Sequence, residues 1–558
     1  MQTWNIGNTT VRNPARLHEA LKLFVLKMGG RPFRKPEQIE FQGELIDAGL
    51  VDSSRRGGDD GARKFASAFK QLGFITDWSR GKPWTVTPVG ANYIAHPEIE
   101  ATIFLRQLLK YQLPSPLEES RTEGFRLRPF RLLLRFLKRA HDDGLVGLTK
   151  FEVSLFVITM LTEDKQEFET AIIDIINFRG EYNARVGKVV KNRFAYEALN
   201  QIATRRGLKP GTLLDYADSN SRYALMSGLL TLKGNKLTVS EARLPLINAI
   251  LADGTQLVPD DEYLTFFYDP LLPQLPTDNP VFLSSEIRQL EEALATIAAD
   301  LGEPITIRPA QPDPSLIQLQ AYEQQLRNEM IRVREIQFYR NQRSSSALDE
   351  IEELLEDIRD NNLVGGQFYA PAFFEWAIWR LFLAINDLVG PVSATRGFKV
   401  DEDIRPIHHA KGGAADLTFT YSDFKVVCEM TLLTGSQQFA REGEPVTRHV
   451  FKAVEASGDN PVYGLFIAKK LDPNTVDAFH NAKYWKDWNR SVFTPVVALE
   501  INHILALVNR IRQRPIAVTE MRELFDGILL LQANYDNGPA WFNAYAQQYE
   551  AWIASAES

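Results

Sequence analysis

The segment 412–431, which reads GGAADLTFTYSDFKVVCEMT, constrains the fold more than any other part of this 558-residue sequence. Apolar and polar residues alternate on both sides of Ser422-Asp423, a pattern typical of two antiparallel strands joined by a tight turn. If these two residues form the loop, Tyr421 pairs with Phe424. Continuing the register outward then places Asp416 directly opposite Glu429.

Directly opposed side chains in an antiparallel pair have Cβ atoms about 4.5–5.5 Å apart, so two carboxylates there repel each other unless a cation lies between them. Carboxylate oxygens are ligands that Mg²⁺ prefers. The alternative is that one acid lies at a strand end and the other on a solvent-exposed face. The apolar run Val426, Val427 and Cys428 favours a central strand, and hence a Mg²⁺ site formed by Asp416 and Glu429.

A third acid lies in a very apolar setting. Residues 371–385, PAFFEWAIWRLFLAI, predict a buried helix, because proline suits its first turn and the remainder is apolar nearly all round. A buried carboxylate needs a partner. Glu375 is therefore expected to pair with Arg380 or Arg396, or to bind a metal, and taken alone the salt bridge is favoured.

Charge is divided unevenly along the chain. Residues 1–240 contain 36 Lys+Arg and 26 Asp+Glu, whereas residues 241–558 contain 27 and 45. A basic half suits a polyanion and an acidic half suits cations. The densest basic run, residues 121–140, predicts either a solvated helix face over a core or a stripe that contacts phosphates.

Two stretches of the basic half share one layout, an amphipathic helix followed by a short hairpin. The first is GARKFASAFKQLGFI with WTVTPVGANYIA after it, and the second leads into TLKGNKLTVS, where Gly234-Asn235 predicts a tight turn. This layout is typical of winged helix-turn-helix domains that bind double-stranded DNA. The candidate DNA-binding residues, most of them expected to contact phosphates, are Arg63, Lys64, Lys70, Arg80, Lys82, Arg205, Arg206, Lys209 and Arg222.

Other features exclude classes of protein. The single cysteine, Cys428, excludes an intramolecular disulfide and a cysteine-based zinc cluster. No apolar run is long enough to cross a membrane, and the first residues lack the pattern of a signal peptide. We therefore expect a cytoplasmic protein with no membrane partner.

Asp416 and Glu429 fit the two acids of the PD-(D/E)xK nuclease core. In that core a lysine follows the second acid by two residues, and here Thr431 occupies its position. Three stretches of the sequence together resemble the AlwI family of type IIS restriction endonucleases, which includes site-specific nicking endonucleases: FFEWAIWRLF, VDEDIRPIHHAKGGAADLTFTYSDFKVVCEMTLLTGSQQFAREGEPVTRHV and VYGLFIAKKLDPNTVDAF. The resemblance is close over 360–500 and looser through the N-terminal half. Threonine in place of lysine is this family's habit.

The resemblance implies a catalytic site made of Glu375, Asp416, Glu429, Glu442 and His449, with Mg²⁺ as cofactor. Glu375, Asp416 and Glu429 are the expected metal ligands, and Glu442 is an outer ligand or orienting group. His449 is expected to donate to a phosphate or to cap a helix, the cap being favoured. Whether Glu442 or a metal-bound water supplies the base stays open.

The predicted fold is multidomain α+β. We expect winged-helix-like DNA-recognition subdomains in 1–145 and 146–268, a helical linker in 269–360, and a PD-(D/E)xK α/β nuclease domain in 361–558. Four prolines in 269–280 mark the boundary between the second recognition subdomain and the linker, because proline is excluded from helix interiors. A coiled-coil partner surface is the less favoured interpretation of the linker, since no heptad seam persists.

The resemblance implies a Mg²⁺-dependent endonuclease that binds a short asymmetric DNA site and cuts a fixed distance outside it. One alternative is a strand-specific nicking endonuclease, the large subunit of a heterodimeric enzyme. A second is an inactive DNA-binding regulator with a nuclease-like domain. The expected partners are double-stranded DNA, a second copy or a small catalytic subunit for second-strand cleavage, and a cognate DNA methyltransferase.

Overall fold

The computed structural model of the protein describes residues 3–7, 11, 13–51, 55–78, 83–118, 124–186, 188–233, 236–252, 254, 256–307, 313–361, 370–385, 387–401, 403–410, 414–481, 484–487 and 490–555. The chain divides into two compact units, Met1–Met330 and Ile331–Ser558. Helices predominate and both units contain strands, so the α+β class is confirmed at that level. None of the described helices combines the length and apolarity needed to cross a membrane.

The first unit contains a small antiparallel sheet surrounded by helices. The strands are β1 (Leu148–Thr149), β2 (Leu230–Lys233) and β3 (Lys236–Val239), in the order β1-β3-β2. Its helices, the last of which continues beyond Met330, are α1 (Leu17–Met28), α2 (Lys35–Asp47), α3 (Asp60–Gln71), α4 (Pro88–Ala95), α5 (Glu100–Lys110), α6 (Pro129–Asp142), α7 (Lys150–Glu152), α8 (Lys165–Ala184), α9 (Lys188–Arg206), α10 (Pro210–Leu225), α11 (Leu244–Ala252), α12 (Asp260–Tyr268), α13 (Pro280–Leu301) and α14 (Leu316–Asn341).

The helix-then-hairpin layout predicted from sequence occurs twice in this unit. After α3, Ile75 and Val86 form an antiparallel bridge that precedes α4. After α10, β2 and β3 pair in a register that ends at Lys233 and Lys236. That register fits the predicted two-residue turn, although Gly234-Asn235 themselves lie outside the described residues.

An aromatic core holds α1, α2 and α3 together. The Phe24 ring lies 4.9 Å from Phe33, 5.0 Å from Phe41 and 5.6 Å from Phe69, measured between ring centroids. Aromatic pairs at such separations contribute about 0.5–1.5 kcal/mol beyond the burial of their area. The apolar residues of α3 therefore fix the helix by one face and leave its opposite face to solvent.

The proline-containing segment after α12 is tied to α5 through side chains. Arg106 donates to both carboxylate oxygens of Asp278 at 2.8 Å, and Lys110 Nζ donates to the carbonyls of Phe267 and Asp269 at 3.0 and 2.7 Å. Prolines remove the N–H groups that would continue a backbone ladder, so side chains satisfy these carbonyls instead. The prolines end the helix as predicted, and the segment is held against the unit.

The second unit is built on a four-stranded mixed sheet. Its strands are β4 (Leu417–Thr420), β5 (Lys425–Thr431), β6 (Val462–Ala468) and β9 (Val496–Glu500), in the order β4-β5-β6-β9, with a separate hairpin of β7 (Tyr484–Asp487) and β8 (Arg490–Phe493). Besides the end of α14, its helices are α15 (Ser345–Arg359), α16 (Ala370–Ile385), α17 (Ser436–Ser457), α18 (Pro473–Asn481), α19 (Ile501–Gln513), α20 (Val518–Leu531) and α21 (Gly538–Ala554).

The strand register predicted from the turn is confirmed. Leu417 pairs with Cys428 and Thr420 with Lys425, and the Tyr421 N–H donates to the Phe424 carbonyl at 2.9 Å. β5 and β6 are parallel, as are β6 and β9. The carboxyl ends of β5, β6 and β9 therefore lie together at one end of the sheet, next to the first residue of β4.

Helices cover both faces of this sheet. Val446 and Val450 of α17 pack with Val427 and Phe466 in one buried cluster. On the opposite face, Phe382 of α16 stacks on Phe419 with ring centroids 4.7 Å apart. Apolar contacts on both faces explain why β5 reads as an almost continuous apolar run.

The region predicted as a linker contains α13, α14 and α15, so its helical character is confirmed. α13 and the residues of α14 up to Met330 belong to the first unit, and α15 belongs to the second. The division into four domains stays a prediction.

The buried lysine of α5 predicts a pH-dependent stability. Burial, followed by the charge of Arg106, lowers the pKa of Lys110 to about 7, against about 10.4 in an unfolded chain. Between pH 7 and 9 the folded protein therefore binds fewer protons than the unfolded chain, and the free energy of unfolding should rise with pH. We expect Lys110→Met to flatten this rise, measured by urea unfolding at pH 7, 8 and 9.

The matched control for that measurement is Lys27→Met, because Lys27 is 42% exposed in its ion pair with Glu44. It should keep the slope of the wild type. A wild-type slope in Lys110→Met would show that Lys110 is not the group responsible.

Candidate active site

The predicted acidic residues come together at the edge of the sheet where β5 ends. Asp416 directly precedes β4, and Glu429 lies on β5. Glu375 comes from α16, while Glu442 and His449 lie two turns apart on one flank of α17. Four elements thus supply five side chains to one place.

Asp416 and Glu429 form the centre of this cluster. The Met430 N–H donates to Asp416 Oδ2 at 2.9 Å, which fixes that carboxylate beside β5. Burial, and then the charge of Glu429, raises the pKa of Asp416 well above its usual value. Burial, and then the charge of Glu442, does the same to the pKa of Glu429. Carboxylates this close do not all ionise near neutral pH unless a cation joins them.

Glu375 approaches the pair from the apolar helix. It is 5% exposed, and its Oε2 accepts a hydrogen bond from the Ala410 N–H at 2.7 Å. Burial, and then the charge of Asp416, raises the pKa of Glu375 well above its usual value. The single hydrogen bond from the Ala410 N–H stabilises the charged form of Glu375 only in part.

The salt bridge expected for Glu375 is wrong. Arg380 instead donates to Gln342 at 2.8 Å and to Glu350 at 2.9 Å. Arg396 is bonded to Glu335. Both guanidiniums are committed elsewhere, and the second interpretation of Glu375, a carboxylate directed at a metal, stays a prediction.

Glu442 is half-buried beside Thr431, the residue expected at the lysine position of the predicted nuclease core. Burial raises the pKa of Glu442, and the Thr431 hydroxyl opposes this by hydrogen bonding to the charged carboxylate. That hydroxyl also accepts from the Leu433 N–H at 3.2 Å, so its one proton is available to Glu442. Thr431 therefore orients an acid where a lysine would supply a charge.

His449 lies in the middle of α17, so the expectation that it caps a helix is wrong. Its Nδ1 lies 2.5 Å from Glu429 Oε1, and its Nε2 is buried with no hydrogen-bond partner among the described residues. Burial, and then the charge of Arg448, lowers the pKa of His449 to about 4. A neutral ring with its proton on Nδ1 donates to Glu429 and leaves the Nε2 lone pair free.

Gln438 is a residue of the site that sequence reasoning missed. Its buried amide donates to the Leu433 and Lys470 carbonyls at 2.8 and 3.0 Å and accepts from the Asp472 N–H at 2.8 Å. These bonds hold the segments after β5 and β6 against the first turn of α17. The signal was present in SQQFAREGEPV, but hydrogen bonds between segments cannot be read from spacing.

The donor set is compatible with a hard divalent cation. In the part of the chain that the structure describes, no Lys or Arg forms an ion pair with Glu375, Asp416, Glu429 or Glu442. Nor do the described residues form a ready group of three or more His, Cys, Asp or Glu side chains that could hold a metal unaided. Mg²⁺ is commonly bound through only one or two carboxylates with waters and phosphates, so Asp416 and Glu429 suffice.

Several predicted DNA-binding residues lie on the surface of the first unit. Arg63, Lys64 and Lys70 are on the outer face of α3, with side chains 47%, 33% and 19% exposed. Arg205, near the end of α9, and Lys209, directly before α10, are also exposed. Arg80 and Lys82 lie outside the described residues.

Other basic residues are turned inward. Arg222 is buried and bonded to Asp218 at 3.0 Å, so it does not present a guanidinium to DNA and the prediction for it is wrong. Arg206 is half-buried and donates to the Thr159 carbonyl at 2.7 Å. In the basic run 121–140, Arg131 is buried and donates to the Ile250 carbonyl at 2.7 Å, so the run is not one continuous phosphate-contacting stripe.

A net-basic segment, residues 1–240, joined in one chain to a sheet whose strand ends are lined with acids is an arrangement suited to site-specific nucleases. Sequence comparison gives this class directly. The AlwI restriction endonuclease family matches residues 70–507, more than half of the chain, and the chain therefore belongs to this family. None of the curated protein sequences matches it.

Three solved structures are similar to parts of the chain. The small subunit of the heterodimeric restriction endonuclease R.BspD6I is 22% identical, covering 38% of this chain and 97% of its own, with a TM-score of 0.28. The BpuJ1 endonuclease binding domain, in complex with modified DNA, is 14% identical over 48% and 95%, with a TM-score of 0.34. Restriction endonuclease FokI is 12% identical over 94% and 99%, with a TM-score of 0.24. Likenesses this weak carry no functional argument.

The raised pKa values predict that the acid cluster destabilises the fold at higher pH. The folded protein holds protons that the unfolded chain has lost, so the free energy of unfolding falls as pH rises from about 4 through the folded pKa values. In buffer with a chelator at pH 8, Asp416→Asn should therefore melt at a higher temperature than the wild type. The increase should be about 2–4 °C for each kcal/mol by which the substitution raises the free energy of unfolding, and it should be smaller at pH 5.

Thermal unfolding by circular dichroism measures this difference. The control is Glu444→Gln, an acid of α17 that is 61% exposed and pairs with Arg448. It should melt like the wild type at both pH values. If Asp416→Asn melts below the wild type at pH 8, the carboxylates do not repel one another as described.

Proposed function

We propose that the protein is a type IIS restriction endonuclease that binds a short asymmetric DNA site and hydrolyses phosphodiester bonds a fixed distance outside it, using Mg²⁺. One observation carries this proposal. Asp416 lies beside Glu429 near the carboxyl end of β5, where it accepts from the Met430 N–H at 2.9 Å, and each acid has a raised pKa and no Lys or Arg ion pair in the described part of the chain. Membership of the AlwI family supports it.

One unit would recognise the DNA and the other would cleave it. The first unit, whose layouts fit winged-helix domains, would recognise the DNA through its exposed cations. The second unit, as a PD-(D/E)xK nuclease domain, would carry the acids that cleave. A fixed distance between recognition and cleavage follows if the intervening helices keep the two sites in constant separation.

Asp416 and Glu429 would hold the metal, with Glu375 as a ligand directly or through water. When bound, the ion would activate water, neutralise charge on the transferring phosphoryl group and ease departure of the 3′ oxygen. The protein's own contribution is to hold these carboxylates in position. The Met430 N–H does this for Asp416, and the Ala410 N–H does it for Glu375.

The remaining residues would orient and exchange protons. Thr431 presents the Glu442 carboxylate to the site, and His449 fixes one oxygen of Glu429 through Nδ1. The neutral imidazole keeps a free Nε2 that can accept a proton or a hydrogen bond. Glu442 and the metal-bound water remain the two candidates for the base.

A single centre cuts one strand, so double-strand cleavage would need a second copy or a small catalytic subunit. The similar structure from R.BspD6I is the small subunit of a heterodimeric enzyme. If this chain recruits no second centre, it is a strand-specific nicking endonuclease. A restriction system would also include a cognate DNA methyltransferase.

Cleavage of supercoiled plasmid tests the proposal. With Mg²⁺ the wild type should give discrete fragments or an open circle, and with chelator it should only retard the plasmid. Asp416→Ala and Glu429→Ala should abolish cleavage while leaving DNA binding intact, because only the metal ligands are removed. Glu444→Ala, on the exposed side of α17, should cleave normally.

Other outcomes would overturn the proposal. Retardation without cleavage by the wild type, at any Mg²⁺ concentration, would instead support an inactive DNA-binding regulator. Loss of binding in both alanine variants would contradict the separation of recognition and cleavage between units. Run-off sequencing of the products would give the site, the offset and the strand.

A further inference from the structure

We propose that α3 is the helix that reads the base sequence, that Arg63 is its principal base-reading side chain, and that α10 does not read bases. This inference rests on the proposed function and deepens it, because it assigns sequence recognition to one of two similar layouts. The two helices differ in the side chains that they expose.

The exposed face of α3 is polar and mostly cationic. Asp60, Arg63, Lys64, Ser67 and Lys70 recur at intervals of three and four residues, so they share one side of the helix. The opposite side, with Phe65 and Phe69, is buried. A helix held by an apolar face and presenting a cationic one has the form that enters a major groove.

The start of α3 is fixed by a contact from α2. Gln42 Oε1 accepts a hydrogen bond from the Ala62 N–H at 2.8 Å, and Gln42 is fully buried. A Cβ at Gly61 would lie 2.7 Å from the same oxygen, so glycine permits this close approach. The first turn, where base-reading residues of such helices lie, is thus rigidly placed relative to α2.

Of the three cations on the exposed face of α3, Arg63 has the most exposed side chain. Its side chain is 47% exposed, and its contacts with Asp59 and Asp60 are both 3.5 Å long. Such contacts are too long for strong hydrogen bonds, so the guanidinium can leave them for a better acceptor. Arginine reads guanine by donating two parallel hydrogen bonds to O6 and N7.

The two lysines of the face are better suited to phosphates. Lys64 lies 3.0 Å from Asp60 and Lys70 lies 3.6 Å from Asp77. An ammonium group is a compact charge without the planar fork of arginine, so it contributes affinity more than base selection. Both follow Arg63 along the exposed face of α3, where they would contact the DNA backbone.

α10 offers no comparable face. Every residue from 217 to 225 is buried, including Arg222. The N-terminal segment lies along this helix, with the Ile6 N–H donating to Asn220 Oδ1 at 2.8 Å and the Ser219 hydroxyl donating to the Ile6 carbonyl at 2.9 Å. Its partly exposed residues in the first half, Thr212, Asp215 and Tyr216, include no cation. We assign α10 to the core of the unit.

The test selects bound duplexes from a randomised DNA library, using the full-length protein in chelator so that cleavage plays no part, and sequences them. Arg63→Ala should lose about ten- to a hundred-fold discrimination at one base pair while keeping the rest of the site. Arg63→Lys should lose most of it as well, because a single ammonium cannot replace the fork.

The matched control is Arg205→Ala, an exposed arginine of the same unit away from α3. It should keep the wild-type base preferences and weaken all sequences alike, with a salt dependence reduced by about one unit of slope. Circular dichroism should show both variants folded, as expected for exposed positions.

Two results would overturn the inference. One is a wild-type base preference in Arg63→Ala, and the other is an equal loss of affinity for all sequences. Failure of sequence-specific binding, which the proposed function requires, looks different, because the wild type itself would then enrich no sequence. That result would overturn both.

Discussion

The repulsion between Asp416 and Glu429 is the interaction on which the second unit depends. A two-residue turn at Ser422-Asp423 sets the register of β4 and β5, and the Met430 N–H holds Asp416, which directly precedes β4, beside Glu429. Apolar contacts of β5 on both faces hold the strand in the sheet despite the repulsion. The fold thus supplies the stability that the acid cluster takes away, as is common at functional sites.

Backbone N–H groups around Asp416 and Glu429 partly stabilise the negative charge of the acid cluster. Met430 and Ala410 each give one N–H to an acid, and Gln438 ties the neighbouring segments to the start of α17. Amide donors moderate a negative charge without cancelling it. A salt bridge to arginine would have cancelled it, which explains why Arg380 and Arg396 pair with other acids.

Much of this could be predicted from sequence, because it follows from local patterns. The turn fixed the pairing of β4 with β5, the apolar stretch around Glu375 gave α16, and alternation around Gly234-Asn235 gave β2 and β3. What failed depended on distant contacts. Arg222 looked like a surface cation, but its burial depends on packing that its neighbours in sequence do not reveal. His449 was expected to cap a helix, but the helix is continuous from Ser436 to Ser457 and places His449 in its interior.

Thr431 has a consequence for how such a centre meets a polyanion. Where a lysine would keep one permanent positive charge beside the acids, this chain has a hydroxyl directed at Glu442. The cations that act on these acids are then Arg448, whose charge opposes the raised pKa of Glu429, and Arg441, whose charge opposes the raised pKa of Glu442, and neither forms an ion pair with them among the described residues. Under the proposed function, the concentration of divalent ions would therefore govern the approach of the DNA backbone to these acids as well as its hydrolysis.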